Sequence, residues 1–349
     1  MKILYISCHQ VLEYDELKLF YDLGHEVLSI GFYLDPSNPS ANSRPAISNY
    51  KNVDSKVIDE FFTLNPNYKL KNRPNIGDFK LTESFLKNFD CIITEFHFEE
   101  LEKVWKPELK VPLIVRSPGQ PSQWFEHYVR HFKSLGAKIV RFSPAERFTQ
   151  GYCGEDAIIR LYVNPEEYQG WKGLESNVLF SVCNNALARR KEVNLDNYLF
   201  ITKGYNTELY GYSNRDLPQC WGELSNSGLT GKYRTSRAFF SMGTQPGPYT
   251  YSFIEAWCTG IPVITWSKGL GGQIIGQNGG NSFEIPDFID NGVDCISSDS
   301  KVELTYALKL LMSDDTFAKG LSEKGRIKCI NMFNYSVAKS QWEDLLKQL

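Results

Sequence analysis

In the stretch from Gly247 to Thr265, the small hydroxylated residues Thr250 and Ser252 stand at the opening of a short helix, flanked by Tyr249 and Tyr251. Such an opening leaves backbone N–H groups and the positive end of the helix dipole free to face an anion such as a diphosphate. Glu255 follows about one turn inside, where its carboxylate can accept two hydrogen bonds from a ribose diol. Thr259-Gly260-Ile261-Pro262 ends the helix, and Val263-Ile264-Thr265 reads as the buried strand after it. Together these residues form a cradle for a nucleoside diphosphate. A plain helix, glycine cap and parallel strand of a doubly wound domain has the same pattern without any ligand.

The elements that must hold this cradle are legible as apolar runs alternating with amphipathic helical stretches, the mark of parallel sheets covered on both faces. In the first half the runs are 2–7, 26–32, 90–97, 111–116 and 137–142, with a helix near 14–23 and a polar, proline-rich excursion from about 36 to 53. A further run, 157–163, leads to a domain crossover at Asn164-Pro165. A second alternation begins at 178–182, with a helix opened by Asn184 and strands at 208–212, 238–241, 261–266 and 294–297. Helices at 303–312, 315–324 and 335–349 close the chain. The expected class is α/β, with domains at 1–165 and 166–334 and a last helix, 335–349, crossing back to the first domain. Ligands of open parallel sheets gather beyond the carboxyl ends of strands. That position makes His9, Gln10, Glu95, His97, Arg116, Gly119 and Gln120 cleft candidates.

A chain of 349 residues fits two domains of ordinary size, and 42% hydrophobic with 23% charged residues is a globular composition. No uncharged apolar stretch is long enough to span a bilayer, and the first residues read as a strand rather than a signal peptide. A cytoplasmic protein is expected. The eight cysteines lack Cys-x-x-Cys spacing and the five histidines form no ligand pattern, so they read as reduced thiols and no metal site is expected. A net charge of −3 argues against coating nucleic acid by bulk charge. The basic clusters are 67–73 and Arg189-Arg190-Lys191.

From about residue 178 onward, the order of motifs resembles the carboxyl-terminal domain of glycosyltransferase family 4, whose fold is the two-Rossmann GT-B architecture with a central cleft. Arg190 and Lys191 resemble the basic pair that holds the donor diphosphate in that family. Glu208-Leu-Tyr-Gly211-Tyr resembles the strand and glycine turn beside the nucleotide, and 229–237, with Tyr233, its base-binding turn and following helix. Ser252 to Val263 resembles the Glu-Ala-x-x-x-Gly-x-Pro-Val signature, and 288–297 the glycine-containing segment after it. The resemblance implies a donor site of Asn184, Arg190, Lys191, Gly211, Tyr233, Tyr249, Thr250, Tyr251, Ser252 and Glu255. One departure stands out: Gly247 occupies the position of the first glutamate in the family's Glu-x7-Glu.

Displacing a nucleoside diphosphate from a sugar creates anionic oxygens that a divalent metal or fixed cations must neutralise. The chain has no Asp-x-Asp to hold a metal against a diphosphate, whereas Arg190, Lys191 and a helix N-terminus can neutralise it directly. No cofactor is therefore expected beyond the nucleotide-sugar co-substrate, with a UDP-sugar favoured. Retention of anomeric configuration is what the resemblance implies. Glu13, Asp15, Glu95 and His97 are candidates to orient the acceptor hydroxyl, and His9, Gln10, Arg116, Gly119 and Gln120 to bind the acceptor. That acceptor is a glycan or small molecule, or alternatively a hydroxymethylated pyrimidine in DNA. A nucleotide-sugar epimerase and a non-catalytic nucleotide-sugar-binding module are the alternatives of other classes.

Overall fold

The structure is a computed structural model and describes residues 1–38, 44–70, 77–119, 121–272 and 281–349. Apolar runs of four or five residues become strands buried on both faces, as a parallel sheet covered by helices requires. The first sheet contains β1 (Lys2–Ile6), β2 (Glu26–Ile30), β3 (Cys91–Thr94), β4 (Leu113–Arg116), β5 (Lys138–Arg141) and β6 (Ala157–Ile158). The second contains β7 (Val178–Val182), β8 (Asn206–Tyr210), β9 (Ala238–Ser241), β10 (Val263–Trp266) and β11 (Ile296–Ser298). Their orders are β2-β1-β3-β4-β5-β6 and β11-β10-β9-β7-β8, and every recorded pairing of strands is parallel. Strand order reverses between β1 and β3 in one sheet and between β7 and β9 in the other. Each reversal opens a crevice at the carboxyl ends of the strands.

Three local readings are corrected. The run at 157–163 pairs over only two residues, because Leu161 to Val163 leave the sheet to make the crossover. Asn184 opens no helix. The chain turns through 184–194, with Asn185 and Asn194 at positive φ, and the helix begins at Leu195. The base-binding turn is likewise helical, within Asn226–Thr235, capped by the Ser225 hydroxyl.

Two hydrophobic cores form, one around each sheet. The last helix, Tyr335–Leu346, buries Ala338, Trp342, Leu345 and Leu346 in the amino-terminal core. Its Trp342 meets Phe20 edge-on at 5.2 Å. Further contacts tie the halves together: Tyr249 Oη donates to the Phe142 carbonyl at 2.9 Å, and Arg160 pairs with Glu284 at 2.6 Å. All eight cysteines are free thiols, and no described helix is long and apolar enough to cross a membrane.

Candidate active site

The helix Tyr251–Thr259 starts where Thr250, in extended conformation, turns its hydroxyl back to accept from the Phe253 N–H, at 3.3 Å. Gly260, at φ 86°, ends it, a left-handed cap that a side chain disfavours. Glu255 therefore points from a fixed helix into the space between the domains. Its Oε1 accepts from Tyr168 Oη at 3.0 Å and its Oε2 from Tyr233 Oη at 3.2 Å. Arg44, from the polar excursion of the amino-terminal half, forms a buried ion pair with the same carboxylate. A carboxylate so enclosed needs such partners, because an unpaired buried charge is very costly.

Beside Glu255 lies a cavity of about 330 Å³, lined by His9, Val11 and Arg44 from one domain and mainly by residues after β7 and β9 and at the Thr250 helix start from the other. Arg189 reaches it, and its Nη2 is sheltered from water with no hydrogen-bond partner among the described residues. Gly211, at φ 141°, forms part of the wall; a Cβ there would lie 2.1 Å from the Cys183 carbonyl oxygen, so only glycine fits.

His9 caps the first helix, its Nδ1 accepting from the Leu12 N–H at 3.2 Å, and its ring lies 5.7 Å from that of Tyr251. Burial pushes its pKa down to about 4. The imidazole is thus neutral at pH 7, and with Nδ1 an acceptor its proton sits on Nε2, available as a donor. A depressed histidine pKa stabilises the fold above the unfolded value, near 6.5, and that stability is lost as pH falls toward 4. His9→Asn keeps a good cap and should remove this acid sensitivity. Urea melts at pH 7 and 4.5 should show the wild type losing roughly 2 kcal/mol more than the variant, and equal losses would refute the assignment.

Comparison with family models gives no match, and no curated protein matches the sequence. Solved structures do match. Sucrose-phosphate synthase from Thermosynechococcus elongatus superposes over 100% of this chain and 98% of its own, with TM-score 0.68 at 13% identity. The fold is GT-B. A glycosyltransferase from Rickettsia africae (TM-score 0.63, 14% identity, 99% and 98% coverage) shares this GT-B architecture. So does Anabaena HepE, solved with UDP-glucose (TM-score 0.62, 10% identity, 100% of both chains).

Within this GT-B cleft the structure brings together His9, Asn184, Gly211, Thr250, Tyr251, Ser252 and Glu255 on the cavity wall, with Tyr233 buried behind Glu255. It does not bring Arg190 or Lys191. The turn at Asn185 rotates Arg189 inward and leaves Arg190 outside, paired with Asp196, and Lys191 exposed. Tyr249 serves the domain contact instead of the cavity.

Several amino-terminal candidates are also corrected. Glu13 is buried, accepting from Ser29 Oγ at 2.6 Å and the N–H groups of Phe32 and Tyr33 at 2.9 and 2.8 Å, and so shapes the loop after β2. Glu95 accepts from Tyr5 Oη at 2.6 Å, Ser7 Oγ at 2.9 Å and the Cys8 N–H at 3.1 Å, fixing the segment that presents His9. Both carboxylates point inward because the strand ends offer them unpaired donors. Arg116 is fully buried against Glu16, Nε to Oε1 at 2.9 Å. Gln10 is buried in the first helical turn, and His97 stands off the cavity at a left-handed helix start, against Phe79. Asp15 is not on the cavity wall; burial pushes its pKa up to about 8, opposed by Arg44. Gly119 faces Gly247 across the domain boundary, a Cβ on the latter lying 3.6 Å from the Gly119 oxygen and 2.8 Å from that of Thr244. The close approach to the Thr244 carbonyl means that any side chain at 247 would force this turn to shift. Gln120 and residues 71–73 of the basic cluster lie outside the described residues.

Sequence reasoning missed Arg44 and Tyr168, which carry no local motif. It singled out Arg190, whereas the structure places Arg189 on the cavity wall. The asparagine at 185, a residue tolerant of positive φ, was the available signal for that turn.

Proposed function

We propose that the protein is a glycosyltransferase moving a sugar from a nucleoside-diphosphate sugar, a UDP-sugar by preference, to an acceptor hydroxyl. The observation that carries this reading is Arg189 on the cavity wall, a cation facing the same space as the helix start at Thr250 and Ser252. A diphosphate placed there meets fixed donors on two sides, which is what a leaving group of growing negative charge requires. Glu255 lies where a ribose diol can reach it, and the preference for UDP draws on the HepE complexes with UDP-glucose and UDP.

In the proposed reaction the acceptor oxygen bonds to the anomeric carbon as the carbon–oxygen bond to the diphosphate breaks. The acceptor proton passes to a β-phosphate oxygen, so both partners lie on one face and configuration is retained. Arg189 and the helix start stabilise the departing diphosphate without a metal. His9, neutral with its proton on Nε2, donates a hydrogen bond to a sugar hydroxyl.

The test is UDP release from UDP-glucose, UDP-galactose and UDP-N-acetylglucosamine with neutral sugar acceptors, with and without EDTA, and with the product's anomeric configuration read by NMR. Acceptor-dependent, EDTA-resistant release with retained configuration is expected. Metal dependence or inversion would remove those parts of the mechanism, and epimerised donor without transfer would remove the transferase reading itself.

A further inference from the structure

The amino-terminal domain holds two large rings in water at the carboxyl end of its sheet. Phe96, just after β3, is 38% exposed, and Trp124, in the first turn of the helix Gln123–Ser134, is 45% exposed. Their centroids are 5.5 Å apart with planes at 41°, which makes a shallow angled shelf. Buried Phe98 supports both, at 6.2 Å from Phe96 and 5.9 Å from Trp124, and stacks on Tyr128 at 5.2 Å. Tyr128 is tied in turn to Glu99 by a hydrogen bond of 3.2 Å. The shelf is thus braced from below, and its exposure is not the looseness of a frayed surface.

Exposed aromatic pairs on a rigid support mark binding surfaces. The choice of occupant rests on two observations. First, the shelf lies near the cavity: Phe96 follows Glu95, whose carboxylate accepts from the N–H of Cys8, the residue before His9 on the cavity wall. Second, the adjoining helix Phe98–Val104 carries exposed Glu99 and Glu102 with Glu100, against a single Lys103. This helical rim is net acidic and disfavours a polyanion, while Arg130 and Lys133 of the Trp124 helix are turned to the carbonyls of Gly151 and Cys153. An uncharged ligand with apolar C–H faces and hydroxyl edges suits both the rings and the rim.

We infer that Phe96 and Trp124 form a stacking subsite for a neutral oligosaccharide acceptor, whose reacting end extends from this shelf toward the donor cavity. The inference rests on the transferase reading for its direction but concerns a separate surface. It makes the acceptor a saccharide of more than one unit, and it disfavours duplex DNA.

The test is an array carrying neutral oligosaccharides, sulfated and phosphorylated glycans and duplex DNA, probed with labelled wild type, Trp124→Ala and Trp124→Tyr. Calorimetric titration of each protein with UDP runs alongside. Binding of neutral oligosaccharides by the wild type should fall about tenfold or more in Trp124→Ala and be largely kept in Trp124→Tyr, with UDP affinity unchanged in both. In the wild type, adding the bound oligosaccharide should also shift tryptophan fluorescence, a readout that does not depend on how a variant folds. Binding confined to charged glycans or DNA, saccharide binding indifferent to Trp124→Ala, or no glycan binding at all would overturn the subsite. Failure of UDP to bind would count against the transferase reading alone.

Discussion

Arg189→Ala is expected to lower the turnover of UDP-sugars by about a hundred- to a thousandfold, the range for removing one fixed donor to a developing oxyanion. Arg189 lines the cavity, and its buried Nη2 has no hydrogen-bond partner among the described residues, so on the proposed reading its charge serves the leaving group. The loss should fall on kcat more than on KM, because negative charge on the bridging oxygen grows as the sugar departs. Arg190→Ala is the internal control. Arg190 is exposed and already paired with Asp196, so its removal should leave kcat within about twofold of wild type. Steady-state UDP release, with melting temperatures to confirm folding, checks both. The reverse ranking would return the phosphate role to Arg190 and remove the structural assignment.

Glu255→Gln should have two separable effects. Losing a charge-assisted hydrogen bond to the ribose weakens UDP binding by roughly ten- to a hundredfold. The same change strips Arg44 of its buried counter-charge, and breaking such a pair from one side costs on the order of 3 kcal/mol. Combining Glu255→Gln with Arg44→Met should restore much of the stability, since the buried cation goes too, but none of the UDP affinity. Urea denaturation and calorimetry read the two quantities separately. UDP affinity unchanged in Glu255→Gln would place the ribose elsewhere.

Most of the sheet framework was legible because strands of a covered parallel sheet must be apolar on both faces, and runs such as Cys91-Ile-Ile-Thr94 permit little else. The helix of Glu255 was legible for a related reason: Thr250 and Gly260 mark its ends through chemistry local to the backbone. What did not show was side-chain direction at strand ends. Glu13, Glu95 and Arg116 stand in positions that suit a ligand, yet each turns toward partners far away in sequence. Arg44 was hidden for the opposite reason, since it comes from a polar excursion without periodicity and meets Glu255 only through the domain arrangement. The pairing of Phe96 with Trp124 was likewise hidden, since it joins a strand end to a helix start 28 residues later.

Under the proposed function, the Arg44 contact is an internal competitor of the donor. On the proposed reading, a donor's ribose and this guanidinium seek the same carboxylate, and only molecules in which Arg44 has let go can accept the nucleotide fully. Apparent donor affinity is then the intrinsic affinity reduced in proportion to that free fraction, so holding Glu255 closed 90% of the time weakens binding about tenfold. Fragments without a ribose diol have nothing with which to dislodge the arginine. The ion pair thereby filters ligands by what they can displace as well as by what they can touch.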